Sequence, residues 1–314
     1  MADKQLELFP LSGVEALRPP APDLTPADTL EAALGPFTEY MQQREFSANT
    51  IASFLNDLRL FMKFVGPSYT LKGCSPRKLE EFIEHLQTGR KAPCSPKSLD
   101  RRITTLKVFF GWLADKAVLA ADPAAPLVRQ GAESPLPRIL TEPEVERVLE
   151  VARAMRDAEQ SPDARPYLLL SLLLHTGMKK VECLSLELSD LDVADPTRPS
   201  VEIRYDKPRL RFKTRRLSLP PDFTETLQAY LRRYQPVAKL FECTPRNLEY
   251  VLHNVSLVAG LRDNLTFDAL RWTAAVRHHR AGMDAQRLRR WLGLSKIAWA
   301  SAGPLIEKLA SEPL

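Results

Sequence analysis

Cysteine is scarce in this sequence, since the 314 residues contain only four and no two of them stand in a Cys-x-x-Cys spacing. The four are Cys74, Cys94, Cys183 and Cys243. Thiols so few and so far apart exclude a disulfide framework and a cysteine-rich zinc site, and they are typical of a reduced cytosolic protein. We therefore expect no bound metal and no organic cofactor.

Long apolar runs are also absent. None approaches the ~20 residues of a membrane-spanning helix, and no secretory signal peptide opens the chain. The chain is nevertheless 44% hydrophobic and 26% charged, which is typical of a globular protein, and its length predicts two domains. These features favour a soluble cytoplasmic protein without a membrane partner.

The formal net charge is only +5, so the placing of the cations matters more than their total. They are densest in residues 201–219, where polar and apolar residues alternate on both sides of Pro208 and predict a β-hairpin. Cations at this density predict contacts with phosphate groups, with an ordinary solvated strand as the alternative. The predicted contact residues of this segment are Arg204, Lys207, Arg209, Arg211, Lys213 and Arg215.

Proline placement and apolar periodicity divide the chain into four parts. Residues 1–28 are a proline-rich tail, which we expect to be flexible. Residues 29–119 carry four segments with apolar residues at helical spacing, which predict a small helical bundle. Residues 120–137 contain the Asp-Pro and Ser-Pro signals of a linker, and residues 138–314 form a second domain.

Several helix starts of the bundle can be predicted from capping residues. Ser47 or Asn49 caps the second helix, Ser75 caps the third, and Ser95 or Ser98 caps the fourth.

The second domain opens with Thr141 and Glu144, which are spaced as a capping box. A nearly continuous apolar run at residues 167–175 predicts a buried helix. Further helices are predicted at residues 222–234 and 245–259.

The block from residue 265 to residue 309 contains two helical patterns. The first ends at Ala281-Gly282, and the second runs from Asp284 to Leu292 and is stopped by Gly293. Gly303-Pro304 then predicts that no long helix follows.

Segments of the second domain resemble the tyrosine recombinases, the family of phage integrases and chromosome-dimer resolvases. They are Thr176-Gly177-Met178-Lys179-Lys180-Val181-Glu182, Ala269-Leu270-Arg271, Ala281-Gly282-Met283-Asp284 and Trp291-Leu292-Gly293. In the first domain, residues 46–50 and 98–103 resemble the core-binding domain of the same family. Together these segments extend the resemblance from Thr29 to the C-terminus.

The resemblance implies a mainly α fold with a small β-sheet, in which a helical core-binding (SAM-like) bundle precedes an α+β domain like the family's catalytic domain. It also implies that the two domains clamp duplex DNA, that copies form a homo-oligomer on it, and that the protein is associated with the nucleoid. On the core-binding side, Arg101, Arg102 and Lys107 are predicted to face phosphates, with an ordinary solvated helix face as the alternative.

The resemblance locates the family's catalytic positions, and four of them are altered. Lys179 stands where the first Arg is expected, Asp268 and Leu294 where two His are expected, and Gly303 near the position of the Tyr nucleophile. Arg271 is retained. Lys179 and Arg271 carry charges that can contact a DNA phosphate, although Lys lacks the planar, bidentate fork of Arg.

Two further roles are implied by the resemblance. Glu182 takes the buried structural role of its counterpart in the family. The catalytic lysine of the hairpin aligns with either Lys207 or Lys213, since both lie near the expected position.

No tyrosine follows Arg271, because the last of the seven is Tyr250. The family's reaction needs a phenolate that attacks a DNA phosphate and forms a covalent intermediate, with arginines that stabilise the developing charge. We therefore predict a duplex-DNA-binding relative without strand-cleavage activity, acting as a structural, accessory or regulatory clamp. The alternative is an active site-specific recombinase with a displaced nucleophile, for which Ser301 is the candidate.

A third hypothesis comes from the tail, where Gln5-Leu6-Glu7-Leu8-Phe9 resembles the peptide by which bacterial replication and repair proteins hold the sliding clamp. In such a peptide, Leu6, Leu8 and Phe9 enter an apolar groove and the amide of Gln5 fixes the register. This predicts a replication- or repair-linked DNA binder recruited by the clamp, with a chance apolar cluster as the alternative.

Overall fold

A computed structural model of the chain describes residues 24–89, 93–129 and 136–312. These residues are mainly α-helical and include one three-stranded antiparallel sheet, so the predicted fold class is confirmed. The chain divides into two compact units, residues 1–134 and 135–314. None of the described helices is both long and apolar enough to cross a lipid bilayer. The predicted clamp-binding peptide, residues 5–9, lies outside the described residues.

The described part of the first unit contains four α-helices, which are α1 (Leu30–Gln43), α2 (Ala48–Val65), α3 (Pro76–Thr88) and α4 (Pro96–Asp115). The hydroxyls of Ser47, Ser75 and Ser95 accept hydrogen bonds from backbone N–H groups in the first turns of α2, α3 and α4. These contacts confirm the three helix starts, because each satisfies a donor that the helix itself leaves unpaired.

The core of the first unit is aromatic. Its fully buried phenylalanines are Phe37, Phe61, Phe82, Phe109 and Phe110. Neighbouring rings meet edge to face, for example Phe37 and Phe109 with centroids 5.1 Å apart. Burial of each such side chain stabilises the bundle by roughly 1.5–3 kcal/mol.

The second unit contains eight α-helices and three strands among its described residues. In chain order these are α5 (Glu142–Arg156), α6 (Arg165–Thr176), α7 (Lys180–Ser185), β1 (Leu191–Asp192), β2 (Ser200–Ile203), β3 (Arg215–Ser218), α8 (Phe223–Tyr234), α9 (Pro245–Val258), α10 (Phe267–Arg280), α11 (Ala285–Trp291) and α12 (Lys296–Ser311). At the start of α5, Thr141 and Glu144 form the predicted capping box. Helix α6 is the predicted buried helix, with ten of its twelve side chains buried.

The sheet has the order β1-β2-β3, and β2 pairs antiparallel with β3 so that Ile203 lies opposite Arg215. The predicted hairpin is therefore confirmed in its pairing, but the prediction of strands up to a turn at Pro208 is wrong. Pro208–Lys213 forms a 3₁₀ helix with Pro208 in its first turn. A proline lacks the N–H that a strand would need and has a fixed φ that suits a helix start.

The prediction that Gly303-Pro304 prevents a long helix is wrong, since α12 passes through both residues. An interior proline costs roughly 3 kcal/mol of helix stability, but α12 buries Ile306 and Leu309 against α10 and α11. The guanidinium of Arg280 also donates to the carbonyl oxygens of the last turn, including that of Leu309 at 3.2 Å. Tertiary contacts therefore override the local helix-breaking signal.

Candidate functional site

Five residues of the second unit meet where α6 ends and α7 begins, and we call them the Glu182 cluster. They are Lys179, Glu182, Tyr205, Arg215 and Arg271. They come from the α6–α7 turn, helix α7, the segment between β2 and β3, strand β3 and helix α10, so the fold brings together residues that are far apart in sequence.

Glu182 is buried and ionised at the centre of the cluster. Arg215 grips its carboxylate with both terminal nitrogens, at 3.1 Å from Nη1 to Oε1 and 2.9 Å from Nη2 to Oε2. The Tyr205 hydroxyl donates to Oε1 at 2.5 Å, and the backbone N–H of Lys179 donates to Oε2 at 2.7 Å. Burial alone would raise the pKa of Glu182, but the hydrogen bonds and charge of Arg215 outweigh it and lower the pKa to about 2. The buried position predicted for Glu182 is confirmed.

Arg215, one of the predicted phosphate contacts, is almost fully buried, because only 8% of the side chain is exposed. Besides Glu182, the guanidinium donates to the backbone oxygen of Trp291 at 2.6 Å. Residues of a strand alternate between faces, and Arg215 shares the inward face with Leu217. Gly293 has a φ of +61°, and a Cβ atom there would lie 2.7 Å from Nη1 of Arg215, so any other residue would be strained and would displace the guanidinium.

Arg271 joins the ends of two helices. Its guanidinium donates to the backbone oxygen of Gly177 after α6 and to that of Leu292 after α11, the latter at 2.8 Å. Burial lowers the pKa of Arg271 to about 10, so the side chain stays charged at neutral pH. Gly177 adopts a φ of +53°, and a Cβ atom there would lie 2.6 Å from the Trp291 ring, which excludes any other residue.

Lys179 adds a further basic side chain to the cluster. Burial lowers the pKa of Lys179, which the Glu182 carboxylate partly offsets, whereas the neighbouring cations, Arg271 first, lower it further. Lys179, Arg215 and Arg271 together oppose one carboxylate within the cluster. Such a surplus of positive charge in a partly desolvated site favours binding of an anion such as a phosphate group.

Residues 204–214 connect β2 to β3 beside the cluster, and we call this segment the basic loop. Arg209 and Arg211 are exposed on its 3₁₀ helix. The Lys213 ammonium lies 5.5 Å from the centroids of both the Tyr205 and the Phe212 rings. Lys213 also lies close enough to Lys179 to lower its pKa. The described contacts therefore connect Lys213, one of the two candidate hairpin lysines, to the Glu182 cluster.

The two remaining predicted phosphate contacts of the basic loop, Lys207 and Arg204, differ in their surroundings. Lys207 is exposed at the start of the 3₁₀ helix. Arg204 is half exposed and pairs with two carboxylates, those of Asp190 and Glu202, each at 3.2 Å from Nε. A phosphate would have to compete with these carboxylates for Arg204.

The predicted phosphate contacts of the first unit have partners within the protein. Arg101 and Arg102 both pair with the buried Asp57, and the Thr105 hydroxyl donates to the same carboxylate at 3.0 Å. The Arg102 side chain is only 15% exposed, so little of it is available to a phosphate. Arg101 keeps 40% of its side chain exposed. The Lys107 ammonium donates to the backbone oxygen of Ala125 at 3.0 Å.

Three of the altered family positions, Asp268, Leu294 and Gly303, have different surroundings. Asp268 is exposed in the first turn of α10, and Leu294 packs against the small core beneath α12. Gly303 is buried within α12, where a Cβ atom would lie 3.0 Å from the Trp299 ring. Ser301 is exposed on the same helix.

Tyr205 is the cluster residue to which the sequence gave no role. Burial raises the pKa of its hydroxyl, and the hydrogen bond donated to ionised Glu182 raises it further. The phenolate that a nucleophile requires is therefore disfavoured. Only its position within the basic segment, residues 201–219, pointed towards this site.

Known proteins resemble both the first unit and most of the chain. Residues 34–117 match the family model of the phage integrase N-terminal SAM-like domain. A tyrosine recombinase of Pseudothermotoga lettingae is 24% identical over 280 residues, which cover 87% of this chain and 93% of that protein.

Two solved structures resemble the chain over most of its length. The site-specific recombinase XerH, bound to palindromic difH substrate in a post-cleavage complex, has a TM-score of 0.70 at 18% identity and covers 94% of this chain and 97% of its own. A lambda integrase dimer bound to a COC′ core site has a TM-score of 0.66 at 15% identity, covering 91% of this chain and 79% of its own. At these identities the likeness shows the fold.

Proposed function

We propose that this chain, which has the tyrosine recombinase fold with a phage-integrase SAM-like domain at its N-terminal side, binds duplex DNA without cleaving its strands. One combination of features carries the proposal. The Glu182 cluster brings the basic side chains of Lys179 and Arg271 close together, whereas no tyrosine follows Arg271 in the chain. A site of this kind can hold a phosphate group but has no phenol in the position from which to attack it.

The altered positions support the same conclusion. Strand cleavage requires general acids and bases at the scissile phosphate, and Leu294 cannot move a proton. The carboxylate of Asp268 repels an approaching phosphate. Lys179 supplies a point charge in place of the bidentate grip of an arginine.

We infer an accessory or structural role in which the protein occupies DNA and leaves the strands intact. The proposal includes assembly of several copies on DNA, because the lambda integrase that shares its fold is a dimer on its core site. The cations of the basic loop supply the sequence-independent part of the affinity, which depends steeply on salt.

The test is a nicked suicide substrate, on which an active recombinase becomes trapped covalently. At low salt we expect a shifted complex on a native gel and no protein–DNA band under denaturing conditions, because Tyr205 donates to Glu182 and no later tyrosine exists. Tyr205→Phe and Ser301→Ala are the informative variants. A denaturation-resistant band that disappears in either variant would replace this proposal with an active recombinase that uses a displaced nucleophile.

A second proposal concerns the tail, and it is independent of the DNA site. The segment Gln5-Leu6-Glu7-Leu8-Phe9 has the apolar anchors and the amide of a sliding-clamp-binding peptide. We propose that it recruits the protein to a bacterial sliding clamp.

Calorimetry of this peptide against a bacterial sliding clamp is expected to give a micromolar Kd, about 8 kcal/mol of binding free energy, mainly from Leu8 and Phe9. In the full chain, replacing Leu8 and Phe9 with alanine should remove clamp binding and leave DNA binding unchanged. Leu11→Ala, just outside the motif, is the matched control. Absence of heat, together with failure to compete with a known clamp peptide, would assign the segment to a chance apolar cluster.

A further inference from the structure

An aromatic side chain stands exposed among the cations of the basic loop. The Phe212 residue is 53% exposed and lies on the 3₁₀ helix between Arg211 and Lys213. Single exposed apolar residues are common on protein surfaces and need no explanation by themselves. Phe212 differs because its sequence neighbours are cationic and because its position is tied to the Glu182 cluster.

Hydrogen bonds fix the shape of the loop around Phe212. The Leu210 N–H donates to the Lys207 oxygen at 2.8 Å, and the Thr214 N–H donates to the Arg211 oxygen at 2.9 Å. The Tyr205 N–H donates to the Thr214 hydroxyl at 3.3 Å and closes the loop at its base. The loop therefore presents its side chains from a structured turn, which lowers the entropic cost of using them in binding.

The Lys213 ammonium links the exposed ring to the interior. It lies 5.5 Å from the Phe212 centroid and 5.5 Å from the Tyr205 centroid, within the range of cation–π attraction. The Tyr205 hydroxyl in turn is bound to buried Glu182. The Phe212 ring is thereby held in place although about half of it faces solvent.

The charges of the loop indicate what the ring can bind. An apolar segment of another protein would find too little apolar surface here, because the neighbouring side chains are Arg211 and Lys213. A nucleic acid base offers a π-face next to a phosphate, which matches an aromatic ring flanked by cations. In an intact duplex the base faces are covered by stacking, whereas a gap or bulge leaves one open.

We propose that the basic loop recognises DNA that contains an unpaired base, with Phe212 stacked on that base and the loop cations on the adjacent phosphates. The inference rests on the proposed DNA binding and adds the DNA structure that the site prefers. Phe212 is the residue that determines this preference, and the loop cations supply affinity for DNA of any structure.

Fluorescence anisotropy with a short duplex, and with the same duplex carrying a single-nucleotide gap or bulge, tests the inference. The wild-type protein should bind the interrupted DNA about tenfold more tightly, a difference of about 1.4 kcal/mol and within the range measured for one base stacked on an aromatic ring. Phe212→Ala should lose this preference and keep the affinity for the intact duplex. Tyr250→Ala is the matched control, since Tyr250 is 51% exposed beside Arg246 and lies outside the loop.

A second readout uses 2-aminopurine at the unpaired position, whose fluorescence should be quenched by the wild-type protein and not by Phe212→Ala. Equal wild-type affinity for intact and interrupted DNA would overturn the inference while leaving the proposed DNA binding in place. Equal loss of affinity for both DNAs in Phe212→Ala would also overturn it, because the ring would then contribute no selectivity. Binding to neither DNA by the wild-type protein would remove the proposed function itself.

Discussion

Replacing Arg209, Arg211 and Lys213 with glutamate is expected to lower the affinity for duplex DNA by roughly three orders of magnitude at low salt. The substitutions remove three cations from the basic loop and introduce three anions there. Arg209 and Arg211 are exposed and Lys213 is partly exposed on a surface loop, so the second unit should remain folded. Arg215 is left out of this variant because it is buried against Glu182, and its removal would confound loss of binding with unfolding.

The salt dependence identifies the cause of the loss. For the wild-type protein, the logarithm of the association constant should fall linearly with the logarithm of salt concentration, by about 0.9 for each phosphate contact. The triple variant should show a shallower slope, with up to about three contacts fewer. A wild-type affinity that is insensitive to salt would contradict phosphate binding.

A control of equal charge separates the loop from the net charge of the protein. Glutamate at Arg232, Lys239 and Arg262, three exposed positions outside the loop, changes the formal charge by the same amount. We expect this control to lose far less affinity. Similar losses in the two variants would mean that overall charge, and not the basic loop, governs binding.

Replacing Arg215 with alanine is expected to destabilise the second unit by about 3–5 kcal/mol, because it leaves the Glu182 carboxylate buried without its cation. For a unit of this size, such a loss lowers the Tm by roughly 6–20 °C. Arg216→Ala is the matched control, since the neighbouring arginine is 61% exposed and pairs with Asp192 at the surface. An exposed pair contributes about 0–1 kcal/mol, so the control should melt close to the wild type.

The pH dependence of stability gives an independent check. The folded pKa of Glu182, about 2, lies below the ordinary value of 4.5. Its contribution to stability is therefore fully present above about pH 4.5 and is lost as the pH falls from there towards 2. The stability difference between the wild type and Glu182→Gln should be constant near neutral pH and shrink below pH 4.5. A constant difference down to pH 2 would contradict the assignment.

Replacing the Glu182–Arg215 ion pair with two apolar side chains gives a further test of the stability prediction for Arg215. Glu182→Leu combined with Arg215→Met removes both charges together, so neither is left buried without its partner. We expect the double variant to be more stable than either single variant. Additive losses would indicate that the two residues act independently.

The sequence was most informative where local chemistry decides the structure. Ser47, Ser75 and Ser95 start their helices because a hydroxyl supplies the acceptor that a helix N-terminus needs. Helix α6 lies in the core of the second unit because its apolar run leaves no face that could favourably contact water. The alternation around Pro208 likewise predicted the pairing of β2 with β3.

The sequence was least informative where a distant partner decides the role of a residue. Arg215 belongs to a basic run, and only the position of Glu182, far away in sequence, shows that its charge is directed inward. Arg102 is similar, because its partner Asp57 lies on a different helix. Pro304 lies inside a helix because α10 and α11 bury Ile306 and Leu309 of that same helix. None of these pairings can be derived from local periodicity.

The packing of Gly303 has an evolutionary consequence. A side chain at this position would begin 3.0 Å from the Trp299 ring, inside a helix whose neighbouring face is buried. A tyrosine at this position would therefore press against Trp299, which would have to shift. Under the proposed function, restoring a tyrosine at this position would also require Trp299 to move, so the route back to a cleaving recombinase is longer than one substitution.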